Sequence, residues 1–294
     1  MEKAVYHLPG LFEFYDFYRK FLPIYREKTE YFYDWCQIGS LYGVPADCLW
    51  AGGRVSTGNA DPRQVLALTE EYGLSARLTF SNSLLCPEHL KDPKCNRLCA
   101  LFSAESGNGV IVHSELLLDY LKEKYPNFYF VSSTTKVLTD FEDLAAETER
   151  PDFRYVVPDF RLNKAFNRLA GLKEKRKVEF LCNECCWPGC RERKECYENV
   201  SRKNLGERCP DHICAAPEGE KGYRFSAAMK NPAFIGIRDI RETYLPMGFS
   251  QFKIEGRGLG SAMLLEFILY YLTKPEYQLL LREEMYLDSM LDLF

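Results

Sequence analysis

Eight short runs of strand-forming residues, most of them separated by helical segments, are the feature that most narrows what this chain can become. The runs are Ala4–Leu8, Trp35–Ile38, Arg77–Phe80, Val110–Val112, Phe128–Val131, Tyr155–Val157, Val178–Leu181 and Phe252–Ile254. Such alternation predicts a parallel sheet with helical crossovers. Eight units predict closure into an α/β fold, a (β/α)8 TIM-like barrel, with an open doubly wound sheet as the alternative. The chain has 294 residues, and barrels of roughly 250 residues are one domain, so a single domain over 1–294 is expected. Its one clear departure is a cysteine-rich insertion, 182–248, between strands seven and eight.

Local signals support several crossovers. Asp61 is a candidate N-cap with Pro62 at the first helical position, after a glycine-rich loop at 51–59, and Gly73 is a good stop. A helix is expected after Ser114, a basic helix after Asn163, and another over Ser261–Leu272. The aromatic segment Leu11–Tyr33 has helical spacing, which Pro23 is expected to break or kink. Its run Phe12–Phe21 is most simply core packing.

In a barrel the C-terminal strand ends share one face, where active sites lie. Those positions nominate His7, Ser40, Asn82, His113, Ser132, Asp159, Arg161, Asn183, Glu184, Glu255 and Arg257. Polar residues at such places also cap helices and close loops, so each alone has a plain structural explanation.

The cysteine stretch starts on that face. Seven of the twelve cysteines fall between Cys182 and Cys214, denser than a packed core needs. Cys186-x3-Cys190 and Cys209-x4-Cys214 form two local pairs. Brought together, they supply four thiolates, enough for an iron–sulfur cluster or a tetrahedral zinc ion, with reduced thiols and no metal as the remaining reading. Cys182, Cys185 and Cys196 are left over; Cys182-x2-Cys185 has zinc-ribbon spacing but no second such pair. A second group, Cys86, Cys95 and Cys99 with His89, reads as ordinary loop cysteines.

The other motif runs Lys253-Ile254-Glu255-Gly256-Arg257-Gly258-Leu259-Gly260-Ser261, from strand through glycine turn into helix. Glycines admit a ligand to the backbone, a helix start attracts anions, and Arg257 can grip a carboxylate or phosphate in bidentate fashion. The plain alternative is a tight turn with an Arg–Glu pair. No HExxH, GxSxG or GxxxxGK[ST] occurs, which removes the usual support for metalloprotease, serine-hydrolase and P-loop chemistry.

The net charge of −4 gives no global nucleic-acid footprint, but Arg161 to Arg208 carries 13 Lys/Arg against 7 Asp/Glu. That excess suits solvated helix faces, or a face turned to an anionic substrate, donor or RNA. The longest apolar stretch, Met263–Leu272, is broken by Glu266 and is far short of the roughly 20 residues of a membrane span, so no membrane partner is expected. Without a basic-then-apolar leader, and with clustered thiols, the expected location is the reducing cytoplasm.

Two segments together resemble a known family. Phe252-Lys253-Ile254-Glu255-Gly256-Arg257 resembles the KIEGR signature of the peptidase U32 family, and Asn183-Glu184-Cys185-Cys186 through Cys190, then Cys209, resembles the cysteine region of its collagenase-like relatives. The family's commonest pattern, HGxxCxxxSGxC, is absent, which marks a divergent member. The resemblance implies a (β/α)8-like barrel with a 4Fe–4S cluster on four cysteines. It also implies either peptidase activity or oxygen-independent hydroxylation of RNA bases or a quinone precursor, with prephenate as a proposed oxygen donor. The resulting expectation is a redox modification of an RNA or small molecule. In it Cys186, Cys190, Cys209 and Cys214 hold the cluster, and Glu255 and Arg257 orient an anionic substrate or donor. A collagenase-like peptidase and a non-enzymatic metal-containing binding module are the alternatives.

Overall fold

A computed structural model of the chain describes residues 2–53, 58–217, 219 and 225–291. Residues 54–57 of the glycine-rich loop and residues 218 and 220–224 of the insertion lie outside them. Eight strands form one sheet: β1 (Ala4–Pro9), β2 (Cys36–Gly43), β3 (Ser75–Phe80), β4 (Gly109–Val112), β5 (Tyr129–Ser132), β6 (Phe153–Val156), β7 (Glu179–Leu181) and β8 (Gln251–Lys253). Their order is β6-β5-β4-β3-β2-β1-β8-β7, and every pairing is parallel. The ends of this order meet at the bridge Val156–Val178, so the sheet closes on itself as the expected (β/α)8 barrel.

Strand periodicity splits the side chains into two sets. Ala76, Leu78 and Phe80 of β3, with Phe180 of β7 and Phe252 of β8, join the large core between sheet and helices. The alternate positions face the lumen, where Tyr42, Ile111, Val131, Val157 and Leu181 form a small separate cluster. Below them the lumen holds His7, Arg77 and Glu179, with Lys253 beside Tyr42, all buried.

The crossovers form where local chemistry favours them. The helices are α1 (Tyr15–Glu27), α2 (Pro62–Glu71), α3 (Pro93–Phe102), α4 (Glu115–Lys124), α5 (Phe141–Glu149) and α6 (Phe166–Leu169). Asp61 accepts from the amides of Arg63 and Gln64 to cap α2, and Ser114 accepts from Leu117 to cap α4. Gly73, at φ +63°, ends the α2 unit as its sequence signal predicts. Helix α1 runs through Pro23 and does not break there. Burial of Tyr18, Phe21 and Leu22 against the barrel outweighs the hydrogen bond that Pro23 forfeits. After Asn163 the expected basic helix shrinks to the four residues of α6.

Strand β2 is longer than its sequence signal, because Gly39 and Gly43 lie within it. A Cβ at Gly39 would come within 2.4 Å of Val5 and 3.2 Å of the His7 ring; one at Gly43 would sit 2.8 Å from the Leu11 amide and the Glu13 carboxylate. Close approach, not a turn, requires these glycines.

Between β7 and β8 the chain forms α7 (Arg193–Asn204), α8 (Phe225–Lys230) and α9 (Ile237–Asp239), the last running into a π-helical turn, Ile240–Tyr244. This segment crosses the mouth of the barrel. The Asn82 amide donates to the Ser201 carbonyl at 3.2 Å, and the Asn204 amide donates to the Ala51 carbonyl at 2.6 Å, tying α7 to the loops after β3 and β2. Helices α10 (Ser261–Tyr271) and α11 (Gln278–Leu291) complete the wall.

Candidate active site at the C-terminal mouth of the barrel

The insertion roofs a cavity of about 1010 Å³ at the C-terminal strand ends. Its floor is the top of the lumen, with Tyr42, Thr79, Ile111, Leu181 and Lys253, and its roof comes from the cysteine stretch.

Continued strand alternation explains the floor. Phe252 and Ile254 point into the outer core, so Lys253, Glu255 and Arg257 turn toward the cavity, and all three line it. Arg257 Nη1 donates to Thr79 Oγ1 at 2.8 Å and lies 3.8 Å from Glu13 Oε1. Burial raises the Glu13 carboxyl against the pull of Arg257. Lys253 Nζ sits 3.8 Å from the centre of the Tyr42 ring and 3.1 Å from Glu179 Oε1. Glu179 Oε2 receives Arg77 Nη1 at 2.5 Å and has His7 Nε2 at 3.5 Å. Burial alone would raise Glu179, but Arg77, Lys253 and His7 hold its carboxyl well below the usual range. Burial pushes Lys253 down to about 8, with Arg77 adding to the effect and Glu179 opposing it. Burial, then Arg77, lowers His7 to about 3, so it is a neutral ring at physiological pH.

Cys185, Cys186, Cys190, Cys196 and Cys214 line the cavity. Cys209 is not on that wall; its Sγ accepts from Asn199 Nδ2 at 3.6 Å. Cys182 is fully buried in the outer core, and burial pushes its thiol up. The first cysteines are held by a polar scaffold. Glu184 accepts from the amides of Cys185 at 2.9 Å and Cys186 at 3.0 Å and pairs with Arg193 at 2.5 Å. Asp159 pairs with Arg161 at 2.6 Å, and Arg161 Nη1 donates to the Cys190 carbonyl at 2.8 Å. Among the described residues, no group of three or more His, Cys, Asp or Glu side chains is gathered closely enough to hold a metal ion. Five of the seven thiols therefore share one cavity without forming a closed ligand set.

Several predicted mouth residues serve the framework. Asn183 exchanges two hydrogen bonds with the Glu255 backbone, at 2.8 and 3.0 Å, fastening the start of the cysteine stretch to the KIEGR turn. His113 Nδ1 meets Thr135 Oγ1 at 2.9 Å, behind the cavity wall. Three nominations are displaced. Ser132 faces outward and donates to Glu147 at 2.6 Å, because it occupies the helix-facing register of β5. His7 and Ser40 lie mid-barrel, bonded to each other at 2.8 Å, because β1 runs on to Pro9 and β2 to Gly43. His7 faces a second cavity of about 570 Å³ at the opposite end, shared with Arg77, Tyr129, Arg154, Tyr155 and Gln251.

Lys253, which lines the cavity, Glu179 and Arg77, which form one charged group with it, and Glu13, which lies beside Arg257, are the residues that strand-end reasoning misses. For the first three the signal was present: each is a charged residue flanked by apolar neighbours in a strand, so it must face the lumen. In the second cysteine group, Cys86 Sγ lies 3.2 Å from His89 Nδ1, and Cys95 Sγ lies 3.0 Å from Cys48 Sγ.

The basic excess of 161–208 divides between the two ends of the barrel. Lys175, Arg176 and Lys177 precede β7 at its N-terminal end, whereas Arg191 to Arg208 follow it on the cysteine face.

No family model matches the chain, and no curated protein matches it. Among solved structures, one described as a U32 peptidase, Mk0906, matches with a TM-score of 0.52. It is 14% identical and the match covers 88% of this chain and 94% of that one. The likeness shows a shared fold over nearly the whole of both chains. It agrees with the family that the KIEGR and cysteine segments resemble.

Proposed function

We propose that this is a U32-type iron–sulfur barrel enzyme that carries out an oxygen-independent hydroxylation, or a related redox modification, of an RNA or small-molecule substrate. The observation that carries the reading is the sharing of one cavity by thiols on the roof and by Lys253, Glu255 and Arg257 on the floor. In kind the donors suit a cluster: soft sulfur ligands, three of the proposed four on one cavity wall, with the first of them on a loop held by Glu184, Arg161 and Asn231. Cys186, Cys190, Cys209 and Cys214 would hold it, and binding would draw Cys209 in from its contact with Asn199. When bound, such a cluster supplies one-electron chemistry.

The chain's own residues do the rest. Arg257, steadied by Thr79 and Glu13, receives the anionic group of the substrate or donor. Lys253 adds positive charge at the floor, and the roof segment limits water. Residues 191–208 on the same face help to attract an anion. Among the described residues no helix is long and apolar enough to cross a membrane. A reducing compartment such as the cytoplasm would keep the thiols available.

Metal analysis of anaerobically purified protein tests the reading. The expected result is about four iron atoms per chain with a broad visible absorption band, lost in Cys186→Ala and kept in Cys196→Ala. One equivalent of zinc without iron would sink it.

A hydrolytic reading finds less support. Among the described residues, the Thr135–His113 contact is the nearest approach to a nucleophile–base pair at the wall. Burial, then Lys136, pushes His113 down to about 4, a weak base at neutral pH.

A further inference from the structure

We propose that Lys253 is a covalent carbonyl-capturing residue, whose amine forms an imine with a small carbonyl compound that carries a carboxylate, the carboxylate being held by Arg257. This goes beyond the cluster reading and does not depend on it.

The first observation is position. Lys253 ends β8 on the face where barrel enzymes place their reacting groups, and it lines the large cavity although its side chain is only 6% exposed. Barrel lumens are usually filled at this height by branched apolar side chains. A lysine costs far more to bury there unless it is paired.

The second is charge. Glu179 already has a close partner in Arg77, at 2.5 Å, so Lys253 is not needed to neutralise it. Arg77, a permanent cation, and Lys253 share one carboxylate, while His7 beside them is a neutral ring. The other groups around the lysine are the Tyr42 ring on β2 and Arg257 and Glu255 on the turn after β8. Burial and the two arginines favour the neutral amine, the nucleophilic form. The third is the second anchor. Arg257 lines the same cavity four residues on, with its guanidinium fixed by Thr79.

The step balances without a further reagent. The ammonium sheds a proton to become the attacking amine, which adds to the carbonyl carbon to form a C–N bond. The carbonyl oxygen then takes up the shed proton and one more from the nitrogen and leaves as water, and the C–O bond breaks. Overall, ammonium plus carbonyl gives protonated imine plus water. The charge at nitrogen is unchanged, so Glu179 faces a cation before and after.

Trapping with sodium cyanoborohydride tests this on the unaltered chain, with pyruvate as the carboxylate probe and acetone as the carboxylate-free one. The expected result is one pyruvate-derived secondary amine per chain, mapped to Lys253 by peptide mass spectrometry. Its rate should rise from pH 7 to 9 as the amine deprotonates, with a midpoint near the value of about 8. Lys253→Arg should abolish the adduct. Arg257→Gln should slow pyruvate capture by roughly tenfold more than acetone capture, the weight of a lost charge-assisted contact, while the loss of its charge beside the amine slows both probes alike. Labelling spread over surface lysines, with Lys253 unmodified, would overturn the proposal. Equal slowing of both probes would overturn the role given to Arg257. Because the mapping uses the native chain, a variant that fails to fold does not obscure the result. The trap needs no iron, so its failure leaves the cluster reading standing, and zinc in place of iron leaves the trap standing.

Discussion

Arg77 and Lys253 reach the Glu179 carboxylate from β3 and β8, at 2.5 and 3.1 Å, with all three side chains nearly inaccessible. Removing the carboxylate would strand two buried cations. Glu179→Ala is expected to cost about 3–5 kcal/mol in urea unfolding, and Arg77→Met with Glu179→Met should recover part of that loss. A loss under about 1 kcal/mol would mean that water already solvates this layer. At this scale the sequence was legible in kind more than in partnership. Glu255 and Arg257 announce themselves by the glycine turn, and both line the cavity. Glu13 gives no such signal, since its closeness to Arg257 joins residues 244 positions apart. His7 was misplaced because β1 runs on to Pro9, two residues beyond it.

Among the elements, the cysteine stretch depends on its fastening to β8. Asn183→Ala removes both hydrogen bonds to the Glu255 backbone. It should lower stability by about 2 kcal/mol by urea denaturation, since a buried amide and carbonyl lose their partner. A variant as stable as the parent would show that the KIEGR turn is held by other contacts. Crossover boundaries that rest on local chemistry were readable, as at Asp61, Gly73 and Ser114. Those set by packing were not. Gly39 and Gly43 resemble turn residues in isolation, and only the approach of His7, Leu11 and Glu13 shows why a strand needs them. Pro23 likewise resembles a helix stop until the buried aromatic face of α1 is in view. The roof, α7 to α9, carries no strand period to count, so the sequence marked its length and its thiols but not its path across the mouth.

For the molecule as a whole, eight strand signals were enough to predict a barrel, because parallel strands with helical crossovers have few ways to close. What they could not predict is how evenly it closes. Seven of its joints are laddered pairings, while β6 and β7 meet through the Val156–Val178 bridge. The wall resembles a cask with one loose stave, and that stave is β7, from which the cysteine stretch hangs. Local opening should begin there. In hydrogen–deuterium exchange, amides of Phe153–Val156 and Glu179–Leu181 should exchange before those of Ala4–Pro9 and Cys36–Gly43. Uniform protection round the barrel would refute this. If the seam does breathe, the thiols are mounted on the part of the wall that yields first, and a bulky cofactor could enter from the side without passing the roofed mouth.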